Sequence, residues 1–222
     1  MRQLILDLLP DARPSFENFV AGSNGEALTG LAAWLAESNR EPLLFLWGDA
    51  GAGKSHLLRA SQAAYSDARL DPDLSEIAAD STDGAWHAVD NVEALGEQGQ
   101  IALFNLINRL PSGGTGRLLA AAGVPPLQLD LREDLRTRLG SGLIYRLQAL
   151  SDHEKLAALA EQAQARGLVL PPEAFNYLFS RAPRDMRSLA ALLITIDRYS
   201  IEHQRPVTLP LLREILQTSL NI

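Results

Sequence analysis

Residues Gly48 to Ser55, GDAGAGKS, constrain this chain more than any other stretch. They follow the apolar run Leu43-Leu44-Phe45-Leu46-Trp47 and open the helical pattern Ser55-His56-Leu57-Leu58. The spacing G-x-x-x-x-G-K-[ST] thus falls between a strand and a helix, the setting in which it wraps a phosphate chain. Gly48, Gly51 and Gly53 permit a loop too tight for Cβ atoms, whose backbone N–H groups converge on an anion. Lys54 is placed to reach the outer phosphates and Ser55 to hold Mg2+. Gly48, Gly51, Ala52, Gly53, Lys54, Ser55 and His56 are therefore read together as a nucleotide-phosphate site.

At 222 residues and 46% hydrophobic content, the chain can bury one substantial core, or one core with a smaller satellite. No apolar stretch approaches a membrane span, and MRQLILDLLPDARP has Asp7 and Pro10 where a signal peptide needs unbroken apolar residues. A soluble, cytoplasmic protein with no membrane contact is expected. The absence of cysteine agrees with that compartment and excludes disulfides, thiolate metal sites and cysteine catalysis. The histidines at 56, 87, 153 and 203 have no metal-ligand spacing. A net charge of −7 argues against broad electrostatic attachment to nucleic acid. The charge is uneven: residues 1–130 hold 8 basic and 17 acidic side chains, and residues 131–187 hold 9 and 7. The arginine-rich middle is where phosphate-facing side chains are expected.

The first fourteen residues lack periodicity and read as a tail. A helix carrying Leu28, Leu31 and Leu35 precedes the P-loop strand. The P-loop helix is predicted over Ser55 to about Ser66, followed by a poorly patterned stretch, Asp67 to Gly84. Ala85 to Asp90 reads as the next strand, ending in an acid where a carboxylate would help to hold Mg2+ through water. A helix over Ile101 to Leu110 and a strand over Arg117 to Ala122 complete an alternation that gives a parallel sheet covered on both faces. From Ser151 the pattern is wholly helical: Ser151-Asp152-His153-Glu154 is a capping box, Gly167 a stop, Pro171-Pro172 a new start and Thr208 a last cap.

FENFVAGSNGEAL, GDAGAGKS, HAVDN, the pair Pro125-Pro126, DLRTRLGSGLIY and RDMRSL follow one another in the order of the AAA+ module of the bacterial replication initiator DnaA. The chain resembles that family over nearly its whole length, and is similar in particular to the short DnaA homologues called Hda, regulatory inactivators of DnaA. Its sequence stops after the helical lid, with no segment for the helix-turn-helix domain by which DnaA reads DNA, so no sequence-specific DNA reading of its own is expected. Gln3-Leu4-Ile5-Leu6-Asp7-Leu8 is similar to the peptide by which such proteins dock on the DNA polymerase sliding clamp, which makes Gln3, Leu4, Leu6 and Leu8 the candidate contacts. Taken as residues alone, that tail reads as readily as an edge strand or a plug on the protein's own core.

The resemblance implies an α/β fold: a clamp-binding tail over 1–14, an AAA+ P-loop module over 15–150 and an all-helical lid over 151–222. It implies ADP or ATP with Mg2+ as ligands, DnaA and the sliding clamp as partners, and it allows a homo-oligomer. Phe19 and Val20 match the segment beside the adenine, Lys54 and Ser55 the phosphate and metal site, and Asp90 the Walker-B acid. Arg138 matches the arginine finger that enters a neighbouring subunit's site, and Arg187 the sensor-2 arginine directed at the chain's own nucleotide. A guanidinium suits both roles, since it stays charged and binds two phosphate oxygens at once.

Two departures bear on activity. Asn91 stands where active members carry an acid to position water, and Ala121-Ala122-Gly123 replaces the polar sensor-1 stretch. Self-catalysed ATP hydrolysis is therefore expected to be slow or absent. The leading expectation is a regulator that stimulates hydrolysis of DnaA-bound ATP. The alternatives are a DnaA-like loading or recruitment factor, of the helicase-loader kind, and a small-substrate P-loop enzyme.

Overall fold

The computed structural model describes residues 13–36, 39–79, 84–110 and 115–220. The expectations for Gln3, Leu4, Leu6 and Leu8 lie outside these residues. Two compact units divide the chain: Pro14–Ala149, and a second that takes the chain from Leu150 onward.

In the first unit the strands are β1 (Leu43–Trp47), β2 (Ala64–Asp67), β3 (Trp86–Asp90), β4 (Arg117–Ala122) and β5 (Leu143–Arg146). They form one sheet in the order β2-β3-β4-β1-β5, and every pairing is parallel. The run LLFLW of β1 and the run RLLAAA of β4 are apolar almost throughout because helices cover both faces of the sheet. The helices are α1 (Gly25–Leu35), α2 (Lys54–Ala60), α3 (Ser75–Ala79), α4 (Glu97–Arg109) and α5 (Glu133–Leu139). Leu43, Phe45, Val89, Leu118, Ala120 and Ala122 face α3, α4 and α5. Leu44, Leu46, Ala88, Leu119 and Ala121 face α1 and α2. The two-residue alternation of strand side chains thus sorts one continuous apolar run into two cores.

The P-loop helix is shorter than its periodicity predicts. It ends at Ala60, not near Ser66, and residues Ala64–Asp67 form the edge strand β2. Ser61 is the cause: its Oγ donates back to the Leu58 carbonyl at 2.7 Å, and Gln62 then takes a left-handed conformation (φ 61°). Part of the stretch from Asp67 to Gly84 is also ordered, as α3.

Arg117, at the start of β4, is buried. Its guanidinium donates to the carbonyls of Trp34, Ala36 (3.0 Å) and Asn39 (2.9 Å), at and just beyond the end of α1. The rings of Trp34 and Trp86 lie against it, with centroids 5.5 and 4.8 Å away. Last-turn carbonyls have no partner within their helix, and a cation there also suits the helix dipole.

The second unit is helical: α6 (Asp152–Ala165), α7 (Pro172–Arg181), α8 (Met186–His203) and α9 (Leu209–Leu220). Ser151 and Glu154 form the reciprocal capping box, Gly167 follows α6 with φ 69°, and Pro172 opens α7. Leu178, Leu193, Ile196, Leu211, Leu212 and Ile215 fill its main core. None of the described helices is long and apolar enough to cross a membrane.

Candidate nucleotide site

The glycine loop leaves β1 and enters α2 at Gly53, which caps the helix with φ 94°. That conformation suits glycine, and so does the space: a Cβ on Gly53 would stand 2.5 Å from Phe19 Cε2. At Gly51, with φ 79°, no heavy atom lies within 4 Å of where a Cβ would stand, so the loop is open on that side. The Lys54 ammonium donates to the carbonyls of Gly48 (2.5 Å) and Asp49 (3.0 Å). Burial holds its pKa below the ordinary lysine value, against the opposing charges of Asp90, Glu93 and Asp49. A half-desolvated cation beside an open glycine loop fits phosphate oxygens. Ser55 stands beside Lys54 in the first turn of α2.

Phe19 packs against this loop from the segment before α1. Its ring meets that of His56 edge-on, with centroids 5.4 Å apart, and His56 Nε2 lies 2.8 Å from the Ser15 carbonyl. A carbonyl only accepts, so His56 Nε2 carries the proton in that bond. Phe19, Gly53 and His56 thus form one cluster that ties residues 15–19 to the P-loop helix, and Val20 follows, partly buried.

Asp90 ends β3 and is 1% exposed. Its Oδ2 accepts from the Tyr65 hydroxyl at 2.9 Å, and its Oδ1 accepts from the Asn91 backbone N–H at 2.9 Å. Burial, together with the neighbouring Asp90, pushes the Tyr65 pKa up to about 12, so the hydroxyl stays protonated and keeps donating. The Arg59 guanidinium lies 4.2 Å from the Tyr65 ring centroid. Asn91 turns away from this carboxylate and gives its side-chain amide to Asp67 Oδ1 at 2.8 Å, across the β2–β3 pairing that sets Asp67 beside Asp90. A buried acid steadied by a hydroxyl and an N–H has lone pairs left for metal-bound water, so Ser55 and Asp90 fit a Mg2+ ion carried by a nucleotide.

Arg138 is exposed in the last turn of α5. Among the described residues no hydrogen bond or ion pair engages its guanidinium, whereas Arg132 on the same segment is paired with Asp134 at 2.7 Å. Phe104, Arg132, Glu133, Asp134, Thr137 and Arg138 line a shallow depression of about 830 Å3. Arg187 is exposed in the first turn of α8, which Asp185 caps by accepting from the Ser188 N–H at 2.9 Å. The structure therefore gathers Phe19, Gly53, His56, Lys54 and Asp90 in the first unit, and sets Arg138 in the last turn of α5, beside Thr137, Arg132 and Phe104. Tyr65, Asp67 and Glu93 belong to the site's surroundings and went unread in the sequence. Tyr65 fell within the overlong helix expectation, and Asp67 gains its role only through the β2–β3 register.

A parallel five-stranded sheet in the order β2-β3-β4-β1-β5, with a glycine loop after β1 and a helical unit later in the chain, is the AAA+ fold. Residues 11–92 match the family model of the bacterial DnaA ATPase domain, and residues 152–216 match that of the Hda lid domain. Domain III of the replication initiation protein DnaA from Thermotoga maritima superposes with a TM-score of 0.70 at 22% identity, covering 94% of this chain and 96% of that one. AMPPCP-bound DnaA from Aquifex aeolicus gives 0.64 at 20% identity, covering 86% and 69%. The RuvB Holliday junction branch migration motor of Thermotoga maritima gives 0.65 at 15%, covering 92% and 71%. The chain thus has the fold of these proteins, and is similar to the DnaA ATPase domain over its first matched segment and to the Hda lid over its second.

Proposed function

We propose that this protein is a regulator of replication initiation that binds adenine nucleotide with Mg2+, docks on the DNA polymerase sliding clamp and stimulates hydrolysis of DnaA-bound ATP. The observation that carries this reading is the joining, in one chain, of a DnaA-type ATPase segment to an Hda-type lid. Nucleotide binding is supported by the open loop at Gly51, the half-desolvated Lys54 and the buried Asp90, and by the AMPPCP bound to the similar DnaA of Aquifex aeolicus. In this reading Phe19 and Val20 lie beside the adenine, Ser55 and Asp90 serve the metal, and Arg187 reaches the chain's own phosphates. Gln3, Leu4, Leu6 and Leu8 meet the clamp.

Arg138 is the group offered to the partner. Transfer of a terminal phosphoryl group spreads negative charge over its oxygens, and a guanidinium supplied from another subunit stabilises that charge, by roughly 10³–10⁵ in rate where a GTPase activator is the donor. Its exposure and lack of engagement among the described residues support that use. The test is hydrolysis of DnaA-bound ATP with DNA-loaded clamp, comparing wild type with Arg138→Ala. Stimulation is expected to vanish in the variant while its own nucleotide binding persists. Full stimulation by Arg138→Ala would overturn the in-trans role and favour a DnaA-like loading factor.

A further inference from the structure

Position 91 holds an amide, and Ala121-Ala122 at the end of β4, with Gly123 just beyond it, offer no polar side chain. The turn after β3 compensates for both. Asn91 takes a left-handed conformation (φ 54°, ψ 45°) and its amide is engaged by Asp67, so the chain bends into a single 3-10 turn over Val92–Ala94. That turn buries Val92 and leaves the Glu93 side chain 34% exposed. Glu93 reaches back over the end of β4: its Oε1 lies 3.7 Å from where a Cβ of Gly123 would stand. Arg69 approaches Glu93 at 3.7 Å, a loose pair with both partners partly in water. The sheet is parallel, so the turn that follows β3 and carries Glu93 lies at the same end of the sheet as the P-loop that follows β1.

We propose that Glu93 is the general base for hydrolysis of a nucleoside triphosphate in this chain's own P-loop site, a role that rests on the nucleotide-binding reading above. The oxygen of a water molecule forms a bond to the terminal phosphorus. The bond from that phosphorus to the bridging oxygen breaks, its electron pair staying on the diphosphate, and the Glu93 carboxylate takes the water's proton. The Asn91 amide has no basicity to offer, and the absence of a Gly123 side chain leaves the Glu93 carboxylate room at the end of β4.

The experiment pairs calorimetry, using Mg2+ with a non-hydrolysable ATP analogue or with ADP, with single-turnover hydrolysis of labelled ATP. Both are run on the full chain as wild type, Glu93→Gln, Glu93→Asp and a Lys54→Ala control. Wild type is expected to bind both nucleotides and to turn ATP over slowly. Glu93→Gln is expected to lose about 10²–10⁴-fold in rate. Its affinity for the triphosphate analogue rises relative to ADP, because a negative charge beside the terminal phosphate is gone. Glu93→Asp keeps the charge but withdraws it by one methylene, so it should keep the affinity ratio and lose part of the rate. Equal rates in wild type and Glu93→Gln, or binding by wild type without turnover above the Lys54→Ala control, would overturn the role of Glu93 and leave nucleotide binding standing. Wild type that binds neither nucleotide would overturn the nucleotide reading, and Glu93 with it.

Discussion

Replacing Arg117 by Met tests how the helix that precedes the P-loop strand is held. The change keeps an unbranched apolar stem between Trp34 and Trp86 but removes three donors to the carbonyls of Trp34, Ala36 and Asn39. Hydrogen bonds from a charged donor contribute about 1.5–3 kcal/mol each, and losing them leaves buried acceptors unpaired. Against that stands the cost of keeping a guanidinium at 4% exposure, several kcal/mol, which the variant recovers. Stacking on the two indole rings is worth about 1 kcal/mol apiece and is partly retained by the Met stem. The balance is a net loss of about 2–4 kcal/mol. For a chain of this length that corresponds to a fall in Tm of roughly 5–15 °C. Urea denaturation followed by tryptophan emission measures it, because Trp34 and Trp86 report on the site itself. A Met variant within about 0.5 kcal/mol of wild type, the range of neutral surface changes, would refute the reasoning.

Gly53→Ala combines a left-handed φ, costing about 1–2 kcal/mol, with a Cβ that displaces Phe19, so nucleotide affinity is expected to fall by more than tenfold. Gly51→Ala carries only the first of these costs, and calorimetry showing the two variants equally impaired would remove Phe19 from the site. The Lys54 pKa is lower in the folded chain than in the unfolded one, so between those two values the unfolded chain binds more protons and stability rises with pH. Lys54→Met should flatten that rise in denaturation midpoints taken from neutral pH toward the ordinary lysine pKa; an unchanged slope would contradict the desolvation of Lys54.

What the sequence leaves unread follows from burial. β1 and β4 are covered on both faces and show themselves as apolar runs, LLFLW and RLLAAA. The strands that escape notice, β2 and β5, are the two edges of the sheet. Their residues AYSD and LIYR are exposed or only partly buried at every position, with no fully buried run to announce them. The same distinction divides the site. Gly48 to Ser55 and Asp90 are legible because a fixed local spacing carries their chemistry. Tyr65, Asp67 and Glu93 gain theirs through a strand register and through the left-handed turn at Asn91, neither of which leaves a trace in residue spacing.

The register of β1 also bears on how the molecule assembles. Leu43 pairs with Leu118 and Leu44 with Leu143, so the strand that launches the phosphate loop finds both its neighbours only in later parts of the chain. Such distant closures are entropically slow and leave an apolar strand unsatisfied meanwhile. LLFLW is therefore the segment most exposed to misassociation while the chain is made. In pulse-labelled hydrogen exchange during refolding, protection of the Phe45 and Leu46 amides is expected no earlier than that of Ile144 and Tyr145. The phosphate loop, which precedes both strands that flank β1 in the sequence, is among the last parts of the site to gain a rigid base.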